Sequence, residues 1–132
     1  MYRHEVTEFA PKTWCLSEFK LVNAFLVEGE EKAALIDTGC GIGHLAETVR
    51  ELTDKPLIIL VTHGHFDHVG AVRDLAATYG CKVYIRPEET AMPPQLTAGP
   101  LYYTDEYPAE GKLQVAGMDI LVMCTPGHTA GS

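Results

Sequence analysis

The sequence predicts an α/β fold, a mixed or parallel sheet covered by helices. Leu57-Ile58-Ile59-Leu60-Val61 is an unbroken apolar run of strand length, the pattern of a strand buried on both faces. Apolar residues recur at helical spacing on either side of it: Ile42, Leu45, Ala46, Val49 and Leu52 before, Val69, Val72, Leu75, Ala76 and Tyr79 after. Strands alternating with helices imply parallel pairing, because a helical crossover returns the chain in the same direction.

The remaining elements follow in order. Residues 21–28 are apolar and β-compatible, Gly29, Glu30 and Glu31 turn the chain, and residues 33–36 return it, which is a hairpin. Asp37-Thr38-Gly39-Cys40-Gly41 is a tight glycine-rich exit into the first helix. Gly80 stands where a helix C-terminus favours glycine, so the second helix stops there and residues 82–85 form another short strand. Residues 87–108 hold five of the eight prolines and predict a long irregular connection. Its Met92, Tyr102 and Tyr103 suit either a substrate lip or ordinary packing. Residues 112–115 and 118–124, joined by a turn at Ala116 and Gly117, read as two strands delivering the chain to Thr125-Pro126-Gly127-His128.

At 132 residues the chain is one domain, 1–132. Eighteen acidic against ten basic residues leave a net charge of −8, which disfavours nucleic acid and anionic lipid as partners. No apolar run approaches the roughly 18 residues of a membrane span, and residues 1–9 are too charged for a signal peptide, so the expectation is no membrane and a cytoplasmic protein. Cys15, Cys40, Cys81 and Cys124 form no C-x-x-C pair and read as reduced thiols.

The chemistry concentrates in Thr62-His63-Gly64-His65-Phe66-Asp67-His68, directly after the most buried strand and before a helix. Loops at the carboxyl ends of strands in open α/β sheets are where such folds bind ligands. Three imidazoles and a carboxylate so close together are costly to desolvate, and a divalent metal offsets that cost. His63 and His65 supply two nitrogen ligands, with Gly64 letting the loop bend between them. His128, aimed by the preceding proline and glycine, is either the third ligand or an ordinary turn residue. His4 and His44, each isolated, read as ordinary core or surface histidines.

T-H-G-H-F-D-H followed by T-P-G-H-T-A-G-S, with L-I-D-T-G upstream, resembles the metallo-β-lactamase fold superfamily of metallohydrolases from about Leu21 onward. The resemblance implies an αββα sandwich. It assigns His63, His65 and His128 to a first metal, Asp67 and His68 to a second, and to Asp67 the orienting of a zinc-bound hydroxide, the catalytic role. Asp37 resembles the aspartate that braces the ligand loop, the alternative being a helix N-terminal carboxylate. His65, where di-iron relatives carry glutamate, points to zinc, and with only Asp67 and His68 at the second position one ion is expected.

The family pattern continues past P-G-H-T to a further aspartate and histidine that are not in this sequence. The expectation is therefore a domain truncated at its C-terminus, the first half of the sandwich plus the start of the second. Exposed sheet surface would then invite self-association. Functionally, the resemblance implies a zinc-dependent hydrolase of a small ester, thioester or lactam. The rival reading is an inactive remnant that binds one metal ion or serves as a partner module.

Overall fold

The computed structural model describes residues 3–97, 99–108, 110–115 and 117–132. The apolar run at 57–61 lies inside a seven-stranded sheet whose order follows the chain: β1 (Glu5–Ala10), β2 (Thr13–Glu18), β3 (Val22–Glu28), β4 (Ala33–Ile36), β5 (Leu57–Leu60), β6 (Val83–Ile85) and β7 (Asp105–Glu106). Strands β1 to β4 are antiparallel neighbours, and β4 to β7 run parallel. A separate two-stranded antiparallel sheet holds β8 (Gly111–Val115) and β9 (Met118–Val122). The helices are α1 (Leu45–Leu52), α2 (Phe66–Val69), α3 (Val72–Tyr79) and α4 (Pro94–Thr97).

Side-chain alternation along β5 divides the core. Leu57, Ile59 and Val61 face a cluster with Leu45 and Val49 of α1 and Val72 and Leu75 of α3. Ile58 and Leu60 face the opposite way, with Ala34 and Tyr84, against Leu113, Val115, Met118 and Ile120 of the β8–β9 sheet. The layers are thus helices, large sheet and small sheet. Each fully buried Leu or Ile stabilises this stack by about 1.5–3 kcal/mol relative to an exposed one.

Several boundaries differ from the sequence expectation. Strands β1 and β2 were not anticipated. Every residue of β1 is exposed, so it has no apolar alternation, and β2 places a charged residue, Glu18, at a fully buried position. Helix α1 begins at Leu45 rather than near Ile42, because Gly41 and Gly43 hold positive φ angles of 85° and 82° outside the helical range. The helix expected from Val69 to Tyr79 is two helices, α2 and α3, broken at Gly70 and Ala71.

That break has a packing cause. A Cβ on Gly70 would stand 2.1 Å from the carbonyl carbon of Cys40, so the Asp37–Gly41 loop and the end of α2 pass backbone against backbone. The Gly70 amide donates to the Gly39 carbonyl at 2.8 Å across this crossing. The stretch 87–108 is less irregular than expected: it contains a 3-10 turn (Pro87–Ala91), α4 and the two-residue β7 paired to β6. The β8–β9 hairpin forms as expected, ending at Val122; Gly117 of its turn has φ 75°, and Ala116 lies outside the described residues. No cysteine is paired with another, and no helix among the described residues is long and apolar enough to cross a membrane. Leu121 and Met123 remain about two-thirds exposed, at 63% and 66%.

Candidate metal centre

The carboxyl ends of β4, β5, β6 and β9 open on one place. From β5 come Thr62, His63, Gly64 and His65, with His65 at the N-cap of α2 in extended backbone (φ −62°, ψ 146°). From β4 comes Asp37, buried and held at φ 62°, a region that aspartate tolerates better than most residues. From β9 the chain enters a turn closed on itself by Thr125 N–H to Ser132 O (2.8 Å) and Gly127 N–H to Thr129 O (3.2 Å), with His128 at its tip.

The ligand-capable nitrogens of His63, His65 and His128 all lie within 4.8 Å of one another. His65 Nδ1 and His128 Nε2 are 3.0 Å apart, and ring centroids are 4.7–5.1 Å apart within the trio. Nitrogens bound to one tetrahedral zinc, each about 2.0–2.1 Å from the ion, stand about 3.3 Å apart. The His65–His128 separation is close to that spacing.

Hydrogen-bond accounting fixes the tautomer of His63. The Thr62 hydroxyl lies 2.6 Å from Asp37 Oδ2, a carboxylate oxygen that only accepts, so its proton goes there. The 3.2 Å contact between Thr62 Oγ1 and His63 Nδ1 must then be donated by the imidazole. Nε2 of His63 is left with its lone pair, buried and without a hydrogen-bond partner. Burial, more than the neighbouring His68, lowers the pKa of His63 to about 4, so this ring is neutral at pH 7. An orphaned buried acceptor facing two other imidazoles fits a metal ion.

Asp37 does more than serve Thr62. It accepts the Thr62 amide at 2.8 Å and contacts His68 Nδ1 at 2.7 Å, and that hydrogen bond raises the His68 pKa against the effect of burial. It lies eight residues before α1, so it is not a carboxylate at that helix's N-terminus. Asp37, His63 and His68 form a second group whose ligand atoms lie within 4.8 Å, but the Asp37 carboxylate is already committed to these donors. Asp67 joins neither group among the described residues; its Oδ2 is 3.8 Å from His68 Nε2.

His4 is buried with Nε2 3.6 Å from Glu18 Oε2, and His44 is exposed before α1. Met92 and Leu101 lie over Gly64: a Cβ there would meet their side chains at 3.5 and 3.0 Å. Tyr102 instead stacks under Arg73, 5.6 Å from its ring centroid. Beside His63 and His128 opens a mainly apolar cavity of about 500 Å³, walled by Leu60, Tyr107, Ile120 and Val122. Sequence reasoning missed Thr62, Glu18, Glu89 and Thr129. Only Thr62, a hydroxyl next to the H-x-H pair, left a local signal.

The model of the metallo-β-lactamase superfamily matches residues 18–132. An uncharacterized protein of Mycobacterium tuberculosis, Rv2581c, is 30% identical over 120 residues, covering 76% of this chain and 52% of that protein. The hydroxyacylglutathione hydrolase GloC of Haemophilus influenzae is 31% identical over 122 residues, covering 83% and 58%. The crystal structure of the metallo-β-lactamase GOB-18 from Elizabethkingia meningoseptica superposes with a TM-score of 0.82 at 20% identity, covering 98% of this chain and 54% of that one. This chain belongs to the metallo-β-lactamase superfamily and has its α/β fold. It spans a little over half the length of these relatives.

Proposed function

We propose that the chain is a zinc-dependent hydrolase unit acting on a small thioester, with esters and lactams as the neighbouring substrate classes. The observation behind this is the buried, unpartnered Nε2 of His63 on a ring that groups with His65 and His128 within ligand distance. Three neutral nitrogens and an open fourth position are the donor set of catalytic zinc. Zinc held there would supply Lewis acidity and a water whose pKa is lowered to about 7. The thioester is favoured because the relative at 31% identity is a hydroxyacylglutathione hydrolase, whereas the likeness to lactamases, at 20% identity, is one of fold.

In this reading His63, His65 and His128 hold one ion. Asp67, partly exposed at the start of α2, orients the attacking hydroxide. With His68 beside it, Asp67 is also the start of a second cation site. Asp37 fixes the rings of His63 and His68 through Thr62 and directly. A small-molecule substrate approaches over Met92, Leu101 and the apolar cavity.

Elemental analysis of purified protein should give about one zinc per chain, and His65→Ala should remove it. Hydrolysis of a glutathione thioester should be lost with a chelator and restored by zinc. Retained stoichiometric zinc in His65→Ala overturns the ligand assignment. A second reading, metal binding without turnover, is favoured by one observation: among the described residues no third ligand joins Asp67 and His68. Zinc with no thioester, ester or lactam turnover would establish it.

A further inference from the structure

The three imidazoles come from two loops that, among the described residues, no backbone ladder joins. His63 and His65 follow β5 of the large sheet, while His128 follows β9, which among the described residues pairs with β8. The hydrogen bonds within the 125–132 turn shape it without tying it to β5. Packing of β8–β9 on Ile58 and Leu60, and the 3.3 Å contact of Arg86 Nη2 with Cys124 Sγ, bring β9 to the site; a direct link between the two loops sets the finer register.

Glu89 occupies that position. It is 1% exposed, in the 3-10 turn after β6. Its Oε1 accepts the amide of Gly64, the residue between His63 and His65, at 3.3 Å. The same oxygen accepts the hydroxyl of Thr129, the residue after His128. Because the Thr129 proton goes to Glu89, the 2.6 Å contact between Thr129 Oγ1 and Ser132 Oγ is donated by Ser132, whose oxygen in turn accepts the Thr129 amide at 3.1 Å. Gly131 closes over the carboxylate stem, where a Cβ would meet Glu89 Cγ at 2.8 Å. One carboxylate oxygen thus pins both ligand-bearing loops.

We propose that Glu89 is a positioning residue that holds His128 in register with His63 and His65, and so sets the affinity and geometry of the metal site. The inference rests on those three histidines being the ligands. Through the backbone of Gly64 and Thr129, Glu89 acts on the ligands without touching the ion, in the manner of outer-shell partners whose loss costs about 10–100-fold in metal affinity.

The test is titration of the metal-free protein with Co²⁺, read by its visible absorption bands, which report ligand geometry. Glu89→Ala should weaken cobalt binding about 10–100-fold and alter the bands. Glu89→Gln, which keeps an acceptor oxygen for both donors, should restore wild-type bands and most of the affinity. Thr129→Val, which removes the hydroxyl link to Glu89 together with the Ser132 contact to that hydroxyl, should weaken binding as Glu89→Ala does, and the double variant should fall short of the sum of the two single losses, since both cut the Glu89–Thr129 connection. Leu75→Ala, which opens the helix-facing core away from both loops, should lose stability without moving cobalt affinity or bands. Wild-type affinity and bands in Glu89→Ala overturn the proposal, and so do they in Thr129→Val should Glu89→Ala fail to fold. Wild-type protein that takes up no cobalt overturns the metal reading and this inference with it.

Discussion

Asp37 illustrates how a single carboxylate can order the side chains around it. Its carboxylate takes the Thr62 proton, which forces His63 to keep its own Nδ1 proton and present Nε2, and it orients His68 directly. Asp37→Ala should therefore cost about 1–3 kcal/mol in urea unfolding of the metal-free protein and lower zinc affinity about 10–100-fold. A stability loss with unchanged affinity would reduce Asp37 to a scaffold residue. On the far side of the same loop, Glu18 accepts the amides of Cys40 and Ile42 at 2.8 and 3.1 Å, with His4 beside it. Burial lowers the His4 pKa more than Glu18 raises it. As pH falls below about 6.5 the unfolded chain therefore takes a proton that the folded one resists, and stability declines. His4→Gln should flatten that part of the pH dependence of the melting temperature; an identical slope would show that His4 does not contribute.

At the scale of elements, two glycines separate steric from dihedral demands. Gly70 has ordinary helical angles (φ −60°, ψ −30°) but lies against the Cys40 carbonyl. Gly80 has open space around it but φ 60°. Gly70→Ala should destabilise by about 3 kcal/mol or more, since backbone cannot give way there, and Gly80→Ala by about 1 kcal/mol. Equal losses in urea unfolding would show that the loop crossing yields. The elements legible in the sequence were those buried in a regular pattern: β5, apolar at every position, and α1 and α3, with their helical stripes. Strand β1 is exposed throughout, and β2 buries Glu18 for the sake of a distant loop, so neither shows apolar alternation.

Across the whole molecule, the candidate ligands sit at the ends of two sheets packed together through side chains such as Ile58 and Leu60 against Leu113 and Ile120. An ion bound by His63, His65 and His128 would cross-link those sheets in the folded state alone. Zinc at about a hundred times its dissociation constant should add about 2.7 kcal/mol to stability, seen calorimetrically as a rise in Tm that depends on zinc concentration and is abolished in His128→Ala. A Tm indifferent to zinc would mean that the two sheets are not joined by metal.

The sequence by itself determined the central strand, its flanking helices, the histidine-rich loop after it and the resemblance to the family, because burial periodicity and ligand spacing are local properties of the chain. Only the tertiary structure decided which nitrogen of His63 is free, that Asp37 sets it through Thr62, and that Glu89 pins loops 25 and 40 residues away. Those facts depend on donors and acceptors brought together by packing between segments remote in sequence. No periodicity or spacing along the chain encodes such a meeting.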